Sequence, residues 1–85
     1  MVADELLALI QERAADIKFS VNGEGKNFSI EAISERFENM SRLQRQKEVF
    51  KLIKDLISDG TLHAISINAF TPEELRKLKT IEGFN

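Results

Sequence analysis

Residues 40–67, MSRLQRQKEVFKLIKDLISDGTLHAISI, decide the fold. The first part predicts one long amphipathic helix that begins near Met40 and ends at Asp59-Gly60, where glycine accepts a left-handed backbone without strain. The second part, from Leu62 to Ile67, has the alternation typical of a strand. This strand carries His63, the only histidine of the chain.

The apolar residues of the predicted helix recur at helical spacing and indicate one broad buried face. They are Leu43, Val49, Phe50, Leu52, Ile53, Leu56 and Ile57. Ser41 is the expected N-cap, because its hydroxyl can accept a hydrogen bond from a backbone N–H of the first turn. The helix is therefore expected to pack against the rest of the core.

Two alternating segments precede this helix. Residues 16–21 and 27–32 each place apolar side chains at every second position, which predicts two strands with one wet face each. The segment Asn22–Asn27 between them contains two glycines and predicts a turn, so the pair forms a hairpin. A short helix capped by Asp4 is expected before the hairpin, and Ser34–Asn39 is expected to be a polar connection after it.

The order strand, helix, strand favours a right-handed crossover in which the second and third strands are parallel. Parallel strands begin at the same end of a sheet, so the hairpin tip and His63 should share one edge. Thr71 and Pro72 predict the cap and first position of a last helix. The sequence thus predicts a single α/β (α+β) domain over residues 1–85, in the order α-β-β-α-β-α around a three-stranded mixed sheet.

Composition excludes several classes of function. The chain has 85 residues and no cysteine, which removes a disulfide framework, a thiol nucleophile and a zinc knuckle. One histidine and scattered carboxylates leave no nucleophile with a base at credible spacing, so we do not expect an enzyme. There is no basic leader with an apolar segment and no apolar run near the roughly 20 residues of a membrane span. We expect a soluble, cytoplasmic protein without a membrane partner.

Charge is distributed unevenly around a net value of −2. The basic residues of the predicted long helix are Arg42, Arg45, Lys47, Lys51 and Lys54. The spacings Glu48–Lys51 and Lys51–Asp55 favour a solvated, self-compensated surface over a phosphate-binding one. A nucleic-acid surface made by Arg42, Arg45, Lys47 and Lys51 is the alternative interpretation.

His63 also has two interpretations. A lone histidine is more often a partly buried, hydrogen-bonded residue than a metal ligand. The predicted place of His63 at a sheet edge makes metal binding somewhat more favourable. Because one ligand does not hold a metal tightly, another molecule would have to supply most of the ligands.

The segments FENMSRLQRQKEVF (37–50) and LHAISINAFTPEE (62–74) resemble the BolA family, in particular its short bacterial IbaG/YrbA-like branch. The resemblance implies a type II KH-like fold and a non-catalytic adaptor for a monothiol glutaredoxin, in iron–sulfur trafficking, iron sensing or the stress response. The two proteins can share a [2Fe-2S] cluster with glutathione, and His63 aligns with the family's histidine ligand. The isolated chain is expected to hold no cofactor and to be a monomer or weak dimer.

The resemblance also implies a partner-binding surface formed by the predicted loop, His63 and the last helix. Its residues are Asn22, Gly23, Glu24, Gly25, Lys26, Asn27, His63, Arg76 and Lys77. The loop has neither Cys nor His, and Asn27 stands about where close relatives carry a histidine. Either the shared cluster is weakly held, with Glu24 or water completing it, or the glutaredoxin binds without a cluster.

BolA proteins are also described as transcriptional regulators, which keeps DNA as an alternative partner. The connection at residues 37–41 lacks the GxxG loop with which KH domains clamp a nucleic-acid backbone.

Overall fold

The protein has four α-helices and three strands in the residues described by the computed structural model, which are the backbone of residues 1–83 and the side chains of residues 1–78. The elements are α1 (Ala3–Arg13), β1 (Lys18–Glu24), β2 (Asn27–Ile33), a 3-10 helix (Glu35–Phe37), α2 (Arg42–Phe50), α3 (Lys54–Ser58), β3 (Ala64–Phe70) and α4 (Pro72–Gly83). Phe84 and Asn85, the end of the predicted domain, lie outside the described residues.

The sheet has the order β1-β2-β3, with β2 in the centre. β1 is antiparallel to β2 and β3 is parallel to β2, as predicted. Phe28 of β2 lies opposite Gly23 of β1 and Ile65 of β3. The mixed three-stranded sheet and the α+β class are therefore confirmed.

One face of the sheet carries the core. Phe19, Phe28, Ile30 and Ala32 are buried on it, against residues of α1, α2 and α3. The buried residues of these helices are Leu6, Ile10, Val49 and Leu56, and Ile53, between α2 and α3, is buried with them. α4 lies on the other face, where Leu75 and Leu78 line a hollow with Lys18, Ile33 and Phe70. Three helices and the sheet thus form two layers, and α4 covers one end of the second face.

The predicted long helix is interrupted, and the prediction of one continuous helix is wrong. α2 ends at Phe50, and the N–H groups of Leu52 and Ile53 donate to carbonyl oxygens three residues earlier, at 3.0 Å each. Bonds of this 3-10 type tighten the turn and rotate the following residues. The carbonyl of Leu52 instead accepts a hydrogen bond of 2.6 Å from Arg13. The same guanidinium binds Asp55 at 2.8 Å, so the expected Lys51–Asp55 pair does not form.

The apolar residues of α2, the break and α3 form two sets that differ in burial. Val49, Ile53 and Leu56 point into the core, with exposed fractions of 8% or less. Leu43 is 60% exposed and Phe50 is 41% exposed, contrary to the prediction of one buried face. Leu43, Val49 and Phe50 all lie in α2, so Leu43 and Phe50 are exposed because they point away from the sheet, not because of the break.

The observed helix ends agree with those predicted from the sequence, except at the start of α1. The Ser41 hydroxyl accepts from the Gln44 N–H at 3.1 Å, Gly60 has a φ of 83°, and Thr71 caps α4. α1 begins one residue before Asp4, and the prediction of Asp4 as its cap is wrong. Its carboxylate lies in the first turn, where the helix dipole favours negative charge.

The predicted polar connection contains a buried aromatic residue. Phe37 is fully buried at the end of the 3-10 helix, whose first turn is capped by the hydroxyl of Ser34. This anchors the chain before α2. No helix among residues 1–83 has the length and apolar character to cross a membrane.

The difference in burial between Ile53 and Leu43 makes a testable distinction between two apolar residues. Ile53→Ala should lower the free energy of unfolding by about 3 kcal/mol, because it leaves a cavity in the core. Leu43→Ala should change it by less than about 0.5 kcal/mol, because the side chain is mostly in water. Urea denaturation followed by circular dichroism measures both, and equal losses would contradict the described difference in burial.

Candidate functional site

His63 lies immediately before β3 and is exposed. Leu62 on one side is fully buried, and Ala64 on the other pairs with Asn27 of β2. The N–H of His63 donates to the carbonyl of Lys26 at 2.9 Å. The histidine is therefore held against the hairpin turn by a buried neighbour, a strand register and a backbone hydrogen bond.

The position of His63 differs from the prediction in one respect. The alternation predicted its side chain on the same face as Ile65 and Ile67, within the strand. These two residues are half-buried, whereas His63 precedes the strand and is exposed. Its surroundings are consequently not those of a hydrogen-bonded core histidine.

The hairpin turn is shorter than the predicted loop. Glu24 pairs with Asn27, so only Gly25 and Lys26 lie between the strands. Gly25 has a φ of 66° in the first central position, as a type II′ turn requires. Gly23 lies in β1 at a φ of 128°. The predicted proximity of turn and histidine is confirmed, and the turn is tightly paired rather than a long loop.

Arg76 and Lys77 line hollows that include neither His63 nor residues 22–27. Arg76 lies in a hollow beside Glu35, Glu38 and Pro72, at the end of the sheet where β2 and β3 finish. β3 has seven residues, so roughly 20 Å separates its two ends. Arg76 therefore lies apart from His63, and the part of Arg76 and Lys77 in partner binding stays a prediction. We call the surface formed by His63 and residues 22–27 the His63 edge.

Two of the four basic residues nominated for nucleic-acid binding form ion pairs within the protein. Arg45, with a side chain only 12% exposed, binds Glu74 through two hydrogen bonds of 2.5 and 3.0 Å. It also donates to the backbone carbonyls of Met40 and Ala69. Lys51 pairs with Glu48 at 3.2 Å, as predicted. Of the four residues nominated for nucleic acid, Arg42 and Lys47 make no ion pair within the described side chains.

The Arg45–Glu74 pair perturbs the carboxylate strongly. Hydrogen bonds from Arg45, and then from the backbone N–H of Thr71, lower the pKa of Glu74 from 4.5 to about 2. The same carboxylate closes the capping box of α4, since Thr71 donates to it at 2.9 Å. Glu74 thus ties α4 to α2 and to the end of β3.

Phe50 is the residue that sequence reasoning missed. It was assigned to the core, but it lies with Arg42 and Lys47 in a groove beside β3. The signal was the width of the apolar stripe: Leu43 and Phe50 are seven residues apart and offset from the stripe of Val49, Ile53 and Leu56.

Residues 4–74 match the family model described as BolA-like protein. The chain belongs to the BolA-like family. It is 31% identical over 84 residues to the acid stress protein IbaG of Escherichia coli, covering 99% of this chain and 100% of that protein.

Solved structures agree with this assignment. The structure of yeast Fra2 is 26% identical, with a TM-score of 0.74 over 96% of this chain and 91% of that one. A BolA homologue from Coxiella burnetii, 23% identical, has the same fold, with a TM-score of 0.75 over 89% of this chain and 99% of that one. This BolA-like protein therefore has the family's fold over nearly its whole length.

Gly23 in β1 and Gly25 in the turn should differ in their tolerance of a side chain. A Cβ on Gly23 would collide with the carbonyl oxygen of Asn27 and lie 2.8 Å from the Cα of Phe28, whereas a Cβ on Gly25 would meet nothing within 4 Å. Gly23→Ala should cost about 3 kcal/mol of unfolding free energy and Gly25→Ala about 1 kcal/mol, the latter from backbone strain alone. Thermal denaturation of both variants measures the difference, and the opposite order would contradict the described turn.

Glu74 should make stability depend on pH. Its pKa is lowered in the folded protein, so the stabilisation is complete above its ordinary pKa and is lost as the pH falls from about 5 to 2. Glu74→Gln should cost about 1 kcal/mol at pH 7, a modest value because 45% of the side chain is exposed to screening solvent. The difference from wild type should disappear near pH 2.

The matched control is Glu73→Gln, which removes the neighbouring charge. Glu73 is 61% exposed and lies 3.7 Å from Lys77, so its substitution should have little effect at any pH. Urea denaturation between pH 2 and 7 measures both. A Glu74→Gln penalty that is independent of pH would assign the effect to packing.

Proposed function

We propose that this BolA-like protein is a non-catalytic adaptor that binds a monothiol glutaredoxin through the His63 edge. The single observation that carries the proposal is the exposed His63 beside a tight turn, with its backbone N–H 2.9 Å from the carbonyl oxygen of Lys26. A rigid turn beside an exposed imidazole offers a partner a preorganised surface, which lowers the entropic cost of binding. Family membership and the acid-stress name of the E. coli relative support a role in iron–sulfur trafficking, iron sensing or the stress response.

The donor set of the His63 edge suits a protein contact better than an iron–sulfur cluster. Within the described residues, no three His, Cys, Asp or Glu side chains gather where a metal could bind. The turn offers the carboxylate of Glu24, the ammonium of Lys26 and the amide of Asn27 beside one imidazole. A [2Fe-2S] cluster in the complex would take its other ligands from the glutaredoxin and glutathione, and none is expected on the isolated chain.

A nucleic-acid-binding regulator is the less favoured function. Two of the four residues nominated for it, Arg45 and Lys51, are bound to Glu74 and Glu48. Affinity for nucleic acid comes mainly from the number of phosphates that cations neutralise. Two unpaired cations on a chain of net charge −2 supply little of that affinity.

Titration against a monothiol glutaredoxin tests the proposal. Under reducing conditions, with and without iron and glutathione, His63→Ala should weaken binding by roughly tenfold, as expected for a central interface residue. Isothermal titration calorimetry gives the affinity, and visible absorption and circular dichroism report any cluster. Unchanged affinity and unchanged spectra would remove His63 from the interface.

Three further variants serve as comparisons. Ser20→Ala, on the polar face of β1, should behave as wild type. Lys77→Ala should have less effect than His63→Ala, because α4 lies toward the other end of the sheet. Asn27→His adds an imidazole at the turn and should lengthen the lifetime of a shared cluster without changing cluster-free affinity.

A further inference from the structure

The outer edge of β3 pairs with no strand and is partly covered by side chains of α2. β3 is the last strand of the sheet and pairs only with β2. Side chains of α2 reach its far side, where Gln46 donates to the carbonyl of Ile67 at 3.3 Å and Arg45 to that of Ala69 at 3.2 Å. Because successive residues of a strand direct their backbone groups to opposite sides, Ile65 also presents its backbone outward.

This edge offers mainly hydrogen-bond donors. Gln46 and Arg45 occupy two of the three outward carbonyls. In the part of the chain that the structure describes, no hydrogen bond reaches the outward N–H groups of Ile65, Ile67 and Ala69. An extended segment that supplies acceptors can therefore pair with the edge. A row of free donors on an edge strand is the usual starting point for strand addition.

A groove of about 430 Å³ runs between this edge and α2. We call it the β3 groove; its lining residues are Arg42, Gln46, Lys47, Phe50 and residues 65–68. Phe50, with 41% of its surface exposed, supplies an aromatic contact on the groove wall. Two half-buried isoleucines, Ile65 and Ile67, form the apolar part of the floor.

The charge of the β3 groove is positive although the chain is net negative. No carboxylate lines it. Glu48 of α2 and Glu74 of α4 are already paired with Lys51 and Arg45. Arg42 and Lys47 carry no ion pair within the described side chains. The groove thus combines free backbone donors, an apolar wall and two uncompensated cations.

We propose that the β3 groove binds an extended acidic segment of a partner protein, which adds to β3 as a fourth strand. Side chains of a strand alternate in direction, so acidic residues of the segment can meet Arg42 and Lys47 while apolar residues meet Phe50. Its carbonyls accept from the free N–H groups of β3. This surface is separate from the His63 edge and does not depend on a glutaredoxin.

Two other occupants fit the groove less well. A second copy of the chain would bring two positive grooves together, and like charges across an interface are unfavourable. Single-stranded nucleic acid would find two free cations, whereas such binding normally relies on a basic channel that follows the backbone. The acidic segment satisfies the donors, the apolar wall and the charges together.

Nuclear magnetic resonance with isotope-labelled protein tests the proposal directly. The probe is a pool of synthetic peptides of about eight residues, in which Asp or Glu alternates with Val, Ile or Phe. Saturable shifts should concentrate on the amides of Ile65, Ile67 and Ala69, whose hydrogen exchange should slow. A matched pool with Lys in place of every acid should produce no such shifts.

Variants separate the groove from general electrostatics. The double charge reversal Arg42→Glu with Lys47→Glu should weaken binding by at least about tenfold. Lys18→Glu with Lys54→Glu makes the same change in net charge away from the groove and should alter affinity by less than about threefold. Phe50→Ala should weaken binding several-fold while leaving the fold intact.

Four results would overturn the proposal. The first is an absence of saturable shifts at millimolar peptide, and the second is shifts that map away from β3. The third is an equal loss of affinity from both double reversals. The fourth is an oligothymidine that competes with the peptides at lower concentration, which would assign the groove to single-stranded nucleic acid.

Discussion

The parallel pairing of β2 with β3 is the constraint on which the rest of the structure depends. It places Phe28 opposite Ile65 and Ile30 opposite Ile67, so one face of three strands becomes continuously apolar. The connection through α2 and α3 must then cross that face, which buries Val49, Ile53 and Leu56. The same register brings Ala64 opposite Asn27, and the residue before it, His63, comes to lie against the turn.

Two arginines hold the helices on this sheet. Arg13 of α1 binds the carbonyl that the break between α2 and α3 releases, together with Asp55. Arg45 of α2 binds Glu74 of α4 and the end of β3. Each guanidinium joins elements distant in sequence through several donors at once, a geometry that a lysine does not reproduce. Some basic residues that the sequence assigns to an exposed surface thus stabilise contacts between elements of the fold.

The two candidate surfaces use different parts of β3. The His63 edge lies where the strand begins and combines an imidazole with a tight turn. The β3 groove follows the outer side of the strand and combines free backbone donors with Phe50 and two cations. One strand can contribute to both surfaces, because its start and its outer side present different chemical groups. The family relationship bears on the first surface, while the second follows from the charges and exposed groups of this chain.

The sequence by itself determined the strands, the crossover and the neighbourhood of His63, because alternation, glycines and capping residues act over a few positions. It also determined the caps by Ser41 and Thr71. Only the tertiary structure decided that the helix breaks after Phe50, where Arg13 from another element binds the carbonyl of Leu52. The burial of Phe37, the pairing of Arg45 with Glu74 and the separation of Arg76 from His63 were decided in the same way. Each of these depends on contacts between segments far apart in the chain, which no local pattern encodes.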